Sequence, residues 1–228
     1  MTLKGVLIDF GDTLAYVNKK SDITYREGLI SIMIRREKPV DLKSLALALD
    51  PVYGKSSRGE VKDFDEFWRL VLKNLTIAPD PELIKELDDF RSHNYASVFS
   101  LYPRAVPVLQ YLKKKYTLAL VSNCSIGTRL IISSLGIDIF FKAIVLSYEV
   151  GARKPDKRMY VRALESTDLT SKDCIFIADE ISDLEGARDV GLGTLLVRQG
   201  SLTNHEVKDP SFAPDFQCAS ISEITKIL

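Results

Sequence analysis

The sequence predicts an open, doubly wound parallel sheet of the α/β class, with a helical insert after its first strand. Short apolar runs alternate with helical patterns along most of the chain, whereas the stretch Tyr16–Phe99 has helical patterns and no convincing strand. Strands that alternate with helices need right-handed crossover connections, which place helices on both faces of a parallel sheet. At about 150 residues per domain, the 228 residues predict between one and two domains.

The predicted strands are apolar runs of four to six residues without strict alternation, which is typical of a sheet covered on both faces. They are Leu3–Ile8, Thr117–Val121, Lys142–Ser147, Cys174–Ala178 and Thr194–Val197. No run approaches the roughly 18 apolar residues that a membrane-spanning helix needs. We therefore expect a Rossmann-like sheet and no membrane span.

Helical patterns lie between these strands. They are Ala105–Lys115, Ile126–Leu135, a helix that Pro155 opens as a first-turn proline, and Asp183–Val190. Gly136 and Gly191 follow two of these patterns, and glycine is the usual residue just after a helix C-terminus.

The insert is predicted to be a small helical bundle. Its helical patterns are Ile23–Arg36, Leu42–Leu49, Phe64–Ile77 and Pro81–Tyr95, with an ordinary loop at Val52–Gly59. Asp63 is placed to cap the third of these helices. A module inserted after the first strand lies over the carboxyl ends of the strands, where such sheets bind ligands. The predicted domains are a Rossmann-like core of residues 1–15 and 100–228 and an α-helical cap of residues 16–99, which acts as a lid.

Composition argues against several classes of partner. The chain has 31 basic and 31 acidic residues, so its net charge of zero attracts neither nucleic acid nor an anionic membrane. The apolar start Gly5–Ile8 runs straight into Asp9 and is too short for a secretion signal. Three cysteines lie far apart without a CxxC pair, which favours a reducing compartment. We expect a cytoplasmic protein with no nucleic-acid or membrane partner; the sequence indicates no oligomeric state.

Polar residues fall at or just past the carboxyl ends of four predicted strands. They are Asp9, Ser122 with Asn123, Lys154, and Asp179, with Asp183 four residues further on. A single polar residue after a strand is usually a turn former. In a doubly wound sheet, however, these ends converge on one crevice, so residues distant in sequence share one site.

These residue types suit phosphoryl transfer. An aspartate can attack phosphorus and carry the phosphoryl group, and Mg²⁺ suits one or two carboxylates with phosphate oxygen and water. A serine hydroxyl and the backbone N–H groups at the start of Ile126–Leu135 would hold phosphate oxygens. A lysine would stabilise the charge that develops and would hold the acids in place when the site is empty.

The ordered set of motifs resembles the haloacid dehalogenase-like (HAD) hydrolase superfamily. Asp9-Phe10-Gly11-Asp12-Thr13-Leu14 looks like its first motif, and Leu118–Val121 with Ser122-Asn123 like its second. Gly151-Ala152-Arg153-Lys154-Pro155-Asp156 is similar to the third, and the segment from Ile177 to Ala187 to the fourth. A helical insert between the first and second motifs resembles the subgroup with an α-helical cap. The resemblance implies a Mg²⁺-dependent hydrolase of the phosphatase type, acting on a small phosphorylated metabolite.

The resemblance also implies a role for each matched residue. Asp9 would be the nucleophile and Lys154 the catalytic cation. The phosphate would be bound by Ser122, Asn123 and Lys154. The metal would be held by Asp9, the Gly11 backbone carbonyl, Asp179 and, through water, Asp183.

Gly11 departs from the family pattern, in which phosphatases usually have an aspartate that acts as general acid and base two residues after the nucleophile. Asp12 comes one residue later, where its side chain points in another direction, so we do not assume that it substitutes. We therefore expect weak turnover of alkyl phosphates and better turnover of activated ones.

Two alternatives remain open. One is a 2-haloacid dehalogenase, a class that also lacks this acid and uses no metal, but resembles the chain less at Asp179. The other is a binding or regulatory protein that kept the fold and lost efficient chemistry.

Other polar residues are expected to have ordinary roles. Cys124 is predicted to be a small packing residue near the site, and Lys55 and Arg58 to lie in a solvated loop. His93 and His205 are predicted to be surface or packing histidines.

Overall fold

A six-stranded parallel sheet organises the structure, a computed structural model that describes residues 2–199 and 212–228. The strands are β1 (Gly5–Ile8), β2 (Ala15–Val17), β3 (Phe99–Leu101), β4 (Thr117–Ser122), β5 (Ala143–Leu146), β6 (Cys174–Ala178), β7 (Gly193–Val197) and β8 (Phe216–Cys218). The sheet has the order β5-β4-β1-β6-β7-β8, and every pair in it is parallel. The predicted α/β class and doubly wound sheet are confirmed.

Helices cover both faces of this sheet and form a separate bundle. They are α1 (Lys19–Arg35), α2 (Leu42–Ser57), α3 (Phe64–Asn74), α4 (Pro81–Asn94), α5 (Ala105–Lys113), α6 (Thr128–Ser134), α7 (Ser147–Val150), α8 (Lys157–Thr167), α9 (Ile181–Asp189) and α10 (Ile224–Ile227). Within the described residues, no helix is both long enough and apolar enough to cross a membrane.

The register of the central strands brings the candidate site together. Strand β1 is fully buried and pairs with β4 on one side and β6 on the other, with Ile8 opposite Leu120 and Ile177. The Asp9 N–H continues this ladder by donating to the Ile177 carbonyl at 2.9 Å. Parallel pairing therefore places the residues after β1, β4 and β6 at one edge of the sheet.

Helices α1–α4 form a bundle around an apolar core of their own, centred on Phe67 and Trp68. Each begins at an Asn or Asp whose side chain accepts a hydrogen bond from the first turn, which satisfies one of the backbone donors that a helix start leaves unpaired. Asp63 is the cap of α3, as predicted. The assignment of residues 16–99 to an independent cap domain stays a prediction.

The predicted loop at Val52–Gly59 is wrong over most of its length, because α2 continues to Ser57. Pro51 lies inside the helix, where it costs one backbone hydrogen bond. Val52 extends the apolar face begun by Leu45 and Leu49, and all three are buried in the bundle core. Tertiary packing therefore outweighs the local signal of the proline.

Three further expectations differ from the structure. The insert has strand residues at both ends, because β2 and β3 form an antiparallel pair. Strand β8 was not predicted: it has three residues at the sheet edge, and two of them are exposed. Pro155 does not open α8, which begins at Lys157 because the Asp156 side chain accepts from the Arg158 N–H and supplies the cap.

Candidate active site

Lys154 lies between two buried carboxylates at the carboxyl edge of the sheet. Its Nζ is 2.8 Å from Asp9 Oδ1 and 2.7 Å from Asp183 Oδ2. Asp9 follows β1, Lys154 lies in the loop between α7 and α8, and Asp183 lies in the first turn of α9. The structure thus brings together three residues that the sequence separates by up to 174 positions.

Burial sets the electrostatics of this group. Burial and the negative charge of Asp183 raise the pKa of Asp9, although the Lys154 ammonium acts in the opposite direction. Burial also opposes the charged form of Lys154, but the attraction of Asp183 and Asp9 outweighs it and raises the pKa of the ammonium. The lysine therefore stays protonated between the two acids.

Asp179, which follows β6, adds a third carboxylate. Its Oδ1 accepts a hydrogen bond from Thr13 Oγ1 at 3.1 Å. Burial and the nearby charge of Asp9 raise the pKa of Asp179 to about 7. The site thus contains three acids and one buried ammonium, which contacts only Asp9 and Asp183, so it has a surplus of negative charge that a cation would neutralise.

The donors at this edge fit a hard cation. Asp9 and Asp179 would offer carboxylate oxygens and Gly11 a backbone carbonyl, which is the ligand chemistry that Mg²⁺ prefers. Within residues 2–199 and 212–228, no three His, Cys, Asp or Glu side chains form a ready-made metal cluster. Mg²⁺ usually binds through only one or two carboxylates, together with water and substrate phosphate.

Ser122 and Asn123 lie at the end of β4 but are placed differently. Ser122 is the last residue of the strand and is buried at the floor of the cleft. The Asn123 amide is engaged with the loop opposite: its Nδ2 donates to the Lys154 carbonyl at 3.0 Å, and its Oδ1 accepts from the Lys154 N–H at 2.7 Å. The side chain of Asn123 therefore holds the backbone of Lys154. Its implied contact with phosphate stays a prediction.

Two backbone N–H groups before α6 are already occupied. Cys124 N donates to Ser147 Oγ at 2.9 Å, and Ile126 N donates to Ser56 Oγ at 2.9 Å. Helix α6 itself begins at Thr128, two residues later than predicted. The expectation that the N–H groups at the start of this helix hold phosphate is therefore wrong for Ile126, whose donor contacts the helical bundle instead.

A cleft of about 340 Å³ opens between this edge of the sheet and the helical bundle. Its lining residues are Phe10, Gly11, Tyr53, Gly54, Ser57, Tyr95, Phe99, Ser122, Asn123, Cys124, Ser125, Thr128 and Arg153. Both the sheet domain and the bundle contribute to its walls. Residues of the bundle thus lie across the cleft from the strand ends, and the role of the insert as a lid stays a prediction.

Arg153 and Ser57 join the two sides of the cleft, and sequence reasoning assigned neither of them a role. Arg153 Nη1 donates to Ser57 Oγ at 2.6 Å, and Ser57 Oγ donates to the Gly54 carbonyl at 2.9 Å. Arg153 was visible in the sequence as the neighbour of Lys154 in the third motif. Its partner is 96 positions away, and no local pattern indicates that contact.

Gly11 and Asp12 differ in their relation to the cleft. Gly11 lines it, and a Cβ built on Gly11 meets no atom within 4 Å. Asp12 has a left-handed backbone with a φ of 50°, accepts a hydrogen bond from the Tyr102 hydroxyl at 3.4 Å, and is not among the residues that line the cleft. The structure thus turns the acid at position 12 toward Tyr102.

The remaining polar candidates have the following places. Burial raises the pKa of the Cys124 thiol to about 12, so the thiol stays protonated at neutral pH. Lys55 lies on α2 rather than in a loop, and Arg58 pairs with Glu60. His93 is exposed at the end of α4, whereas His205 lies outside the described residues.

Comparisons with known sequences identify similar proteins. Residues 51–197 match the family model of the haloacid dehalogenase-like hydrolases. The chain is 25% identical, over 99% of its length and 97% of the relative's, to a glyceraldehyde 3-phosphate phosphatase from Methanopyrus kandleri.

Solved structures of two activities share the fold. A HAD phosphatase from Thermococcus onnurineus superposes with a TM-score of 0.69 at 18% identity, over 99% of this chain and 97% of that one. A 2-haloacid dehalogenase from Pseudomonas syringae superposes with a TM-score of 0.74 at 20% identity, over 99% of this chain and 98% of that one. At these identities the likeness shows the fold alone.

Proposed function

The chain belongs to the haloacid dehalogenase-like hydrolases, and on that premise we propose that it is a Mg²⁺-dependent phosphatase of a small phosphorylated metabolite. The observation that carries this proposal is the contact of Lys154 Nζ with Asp9 Oδ1 at 2.8 Å, at the edge of a cleft whose floor includes Ser122. A carboxylate nucleophile, an ammonium and a hydroxyl are thereby gathered where a phosphate would bind. The phosphatase named among the relatives supports the same reaction.

Asp9 is proposed as the nucleophile. One carboxylate oxygen of Asp9 forms a bond to phosphorus, and the bond from phosphorus to the alcohol oxygen breaks with its electron pair on that oxygen. The product of this step is an aspartyl-phosphate on Asp9. Water then attacks the phosphorus, releases inorganic phosphate and regenerates the carboxylate.

The neighbouring residues bind and orient the phosphate. Lys154 offers a fixed positive charge to the phosphate oxygens, and Ser122 offers a hydroxyl hydrogen. Asp9, Asp179 and the Gly11 carbonyl would hold Mg²⁺, with Asp183 supporting it through water. When bound, Mg²⁺ supplies positive charge that neutralises the surplus carboxylates and the substrate phosphate.

The experiment compares phosphate release from an aryl phosphate with Mg²⁺ and with chelator. Wild-type protein is expected to need the metal, and Asp9→Asn to lose release while thermal unfolding shows that it is still folded. Asp65→Asn is the matched control, because Asp65 is an exposed carboxylate on α3 that does not line the cleft. Rapid acid quenching followed by mass spectrometry should find one added phosphoryl group on the peptide that contains Asp9.

The two alternatives make different predictions. Halide release from a 2-halo acid without metal, together with no phosphate release from any phosphate ester, would identify a dehalogenase. No activity in either assay, together with tight binding of a phosphorylated ligand, would identify a binding protein. Either result would refute the phosphatase.

A further inference from the structure

We propose that Arg153 is a specificity-determining residue, which binds a carboxylate on the non-phosphate end of the substrate. The proposal rests on the phosphatase function above and narrows its substrate to small phosphate monoesters that also contain a carboxylate. It follows from the charge of the cleft, from the hydrogen bonding of the guanidinium and from the size of the space.

Arg153 is the one charged side chain among the described residues that line the cleft. The rest of the lining is aromatic, small or uncharged, and it includes no aspartate or glutamate. The carboxylates that balance Lys154 lie at the edge of the sheet, where they contact its ammonium directly. Arg153 therefore attracts an anionic group in the cleft, and no carboxylate of the lining repels it.

The guanidinium has no ion-pair partner within residues 2–199 and 212–228. Arg129 on α6, by contrast, pairs with Glu149 at 2.6 Å, and Arg158 on α8 pairs with Asp156 at 2.7 Å. A carboxylate of the substrate would form with Arg153 the kind of ion pair that Arg129 and Arg158 already form with acidic residues.

Ser57 positions the guanidinium for such a pair. The Ser57 hydroxyl accepts from Arg153 Nη1 and donates its own hydrogen to the Gly54 carbonyl, so its hydrogen-bonding geometry is fixed from both sides. This contact leaves the Nε and Nη2 edge of Arg153 without a partner in the described residues. That edge has the geometry that binds a carboxylate through two parallel hydrogen bonds.

The volume of the cleft limits the substrate. About 340 Å³ is at the low end of the range for small-molecule sites, and Tyr53, Tyr95 and Phe99 occupy the walls. A phosphorylated hydroxy acid of a few carbons has its two anionic groups at opposite ends. One end would meet Lys154 and Ser122, and the other would meet Arg153.

The test compares two esters of similar size that differ in the carboxylate. For 3-phosphoglycerate and glycerol 3-phosphate, the measured quantity is the ratio of their kcat/KM values. Both release an alkoxide, so the lack of an acid at Gly11 affects both alike. Wild-type protein is expected to favour 3-phosphoglycerate, and Arg153→Gln to reduce the ratio by about tenfold or more.

Two further variants sharpen the comparison. Ser57→Ala is expected to reduce the same ratio by a smaller factor, because the guanidinium remains but loses its fixed orientation. Arg162→Gln is the matched control: Arg162 is an exposed arginine on α8, and its replacement is expected to leave the ratio within about twofold of wild type. Thermal unfolding of each variant checks that it is folded.

The outcomes separate this inference from the function on which it rests. An unchanged ratio in a folded Arg153→Gln protein would overturn the inference, as would a wild-type preference for glycerol 3-phosphate. If phenyl phosphate is hydrolysed in either of these cases, the phosphatase function is supported and only the role of Arg153 is refuted. If no ester is hydrolysed, including phenyl phosphate, both proposals fall together.

Discussion

The side-chain amide of Asn123 forms two hydrogen bonds with the backbone of Lys154, donating to its carbonyl at 3.0 Å and accepting from its N–H at 2.7 Å. The loop after β4 thereby fixes the loop that contains the lysine. The ammonium of the same lysine lies within 2.8 Å of both Asp9 and Asp183. The position of the Lys154 ammonium relative to Asp9 thus depends on hydrogen bonds that Asn123 makes with the Lys154 backbone.

Replacing Asn123 tests whether this contact matters for catalysis. Asn123→Ala is expected to lower kcat by about ten- to a hundredfold, because a displaced lysine no longer meets the reacting phosphate. The inhibition constant of inorganic phosphate should change less than kcat if the Asn123 side chain does not itself bind phosphate. Asn94→Ala is the control, because Asn94 also donates one side-chain hydrogen bond to a backbone carbonyl, at the end of α4. An equal loss in kcat and in phosphate affinity would contradict the positioning role and favour direct binding.

The sequence predicted that Asp9, Ser122 and Asp179 lie at one edge of the sheet because their signals are local. Asp9 and Asp179 each follow a fully buried apolar strand, and Ser122 ends another. Parallel pairing then places these strand ends together without any knowledge of the loops. The same reasoning placed the helical bundle over them, because the insert follows β1.

The sequence did not predict the contacts between the bundle and the sheet domain. The bonds from Arg153 to Ser57 and from Ile126 to Ser56 join residues 96 and 70 positions apart, and both serines lie at the end of a helix that was predicted to stop earlier. Pro51 suggested a break, yet burial of Val52 keeps the helix going. Where packing overrides local propensity, the hydrophobic periodicity of the sequence does not predict the positions of side chains such as Ser57.

Removal of the Lys154 ammonium should destabilise the protein as well as inactivate it. In Lys154→Met, Asp9 and Asp183 lose their shared partner in a buried site, a situation that costs about 3–5 kcal/mol of unfolding free energy. The double variant Lys154→Met with Asp183→Asn removes one of the two stranded charges and should recover part of that loss, without recovering activity. Urea unfolding in chelator measures the free energies.

The control for this pair of variants is Lys157→Met. Lys157 is an exposed residue in the first turn of α8, and its loss should change the unfolding free energy by less than about 0.5 kcal/mol. If Lys154→Met unfolds at the same urea concentration as wild type, the buried ion pairs contribute nothing measurable, and this account of the site is wrong.

An aspartate in place of Gly11 is expected to increase the turnover of alkyl phosphates. A Cβ at Gly11 meets no atom within 4 Å, and Gly11 is not among the residues with a positive φ, so an aspartate fits without strain. Gly11→Asp would place a proton donor in the cleft, where a leaving alkoxide needs one. General acid catalysis is worth about 10²–10⁴-fold, so we expect turnover of glycerol 3-phosphate to rise by at least tenfold and that of an aryl phosphate to change much less.

Two controls accompany this variant. Gly11→Asn has the same shape without the acid, and it should not raise the turnover of either ester. Asp12→Asn should leave the ratio of alkyl to aryl turnover as it is in wild type, because the Asp12 carboxylate is bonded to the Tyr102 hydroxyl. Asparagine also tolerates the left-handed backbone at position 12. Similar wild-type turnover of the alkyl and aryl esters would show that another group already supplies the proton.

The raised pKa of Asp179 predicts an unusual dependence of stability on pH. Burial and the charge of Asp9 raise this pKa from 3.8 to about 7. Between these two values, the folded protein binds more protons at Asp179 than the unfolded chain does, so the unfolding free energy falls as pH rises through the window. Asp9, whose pKa is also raised, acts in the same direction. In chelator, wild type should therefore lose stability from about pH 4 to pH 7, and Asp179→Asn should lose less.

Magnesium should oppose this loss. The ion binds the ionised carboxylates of the folded protein, so excess Mg²⁺ should raise the unfolding temperature most at the upper end of the window, and far less in Asp179→Asn. Thermal unfolding at half-unit pH steps, with Mg²⁺ and with chelator, measures both effects. Parallel curves for wild type and Asp179→Asn in chelator would show that Asp179 titrates at its ordinary value. Asp179 would then be neither desolvated nor close enough to Asp9 to feel its charge, which would contradict the electrostatics described for the metal site.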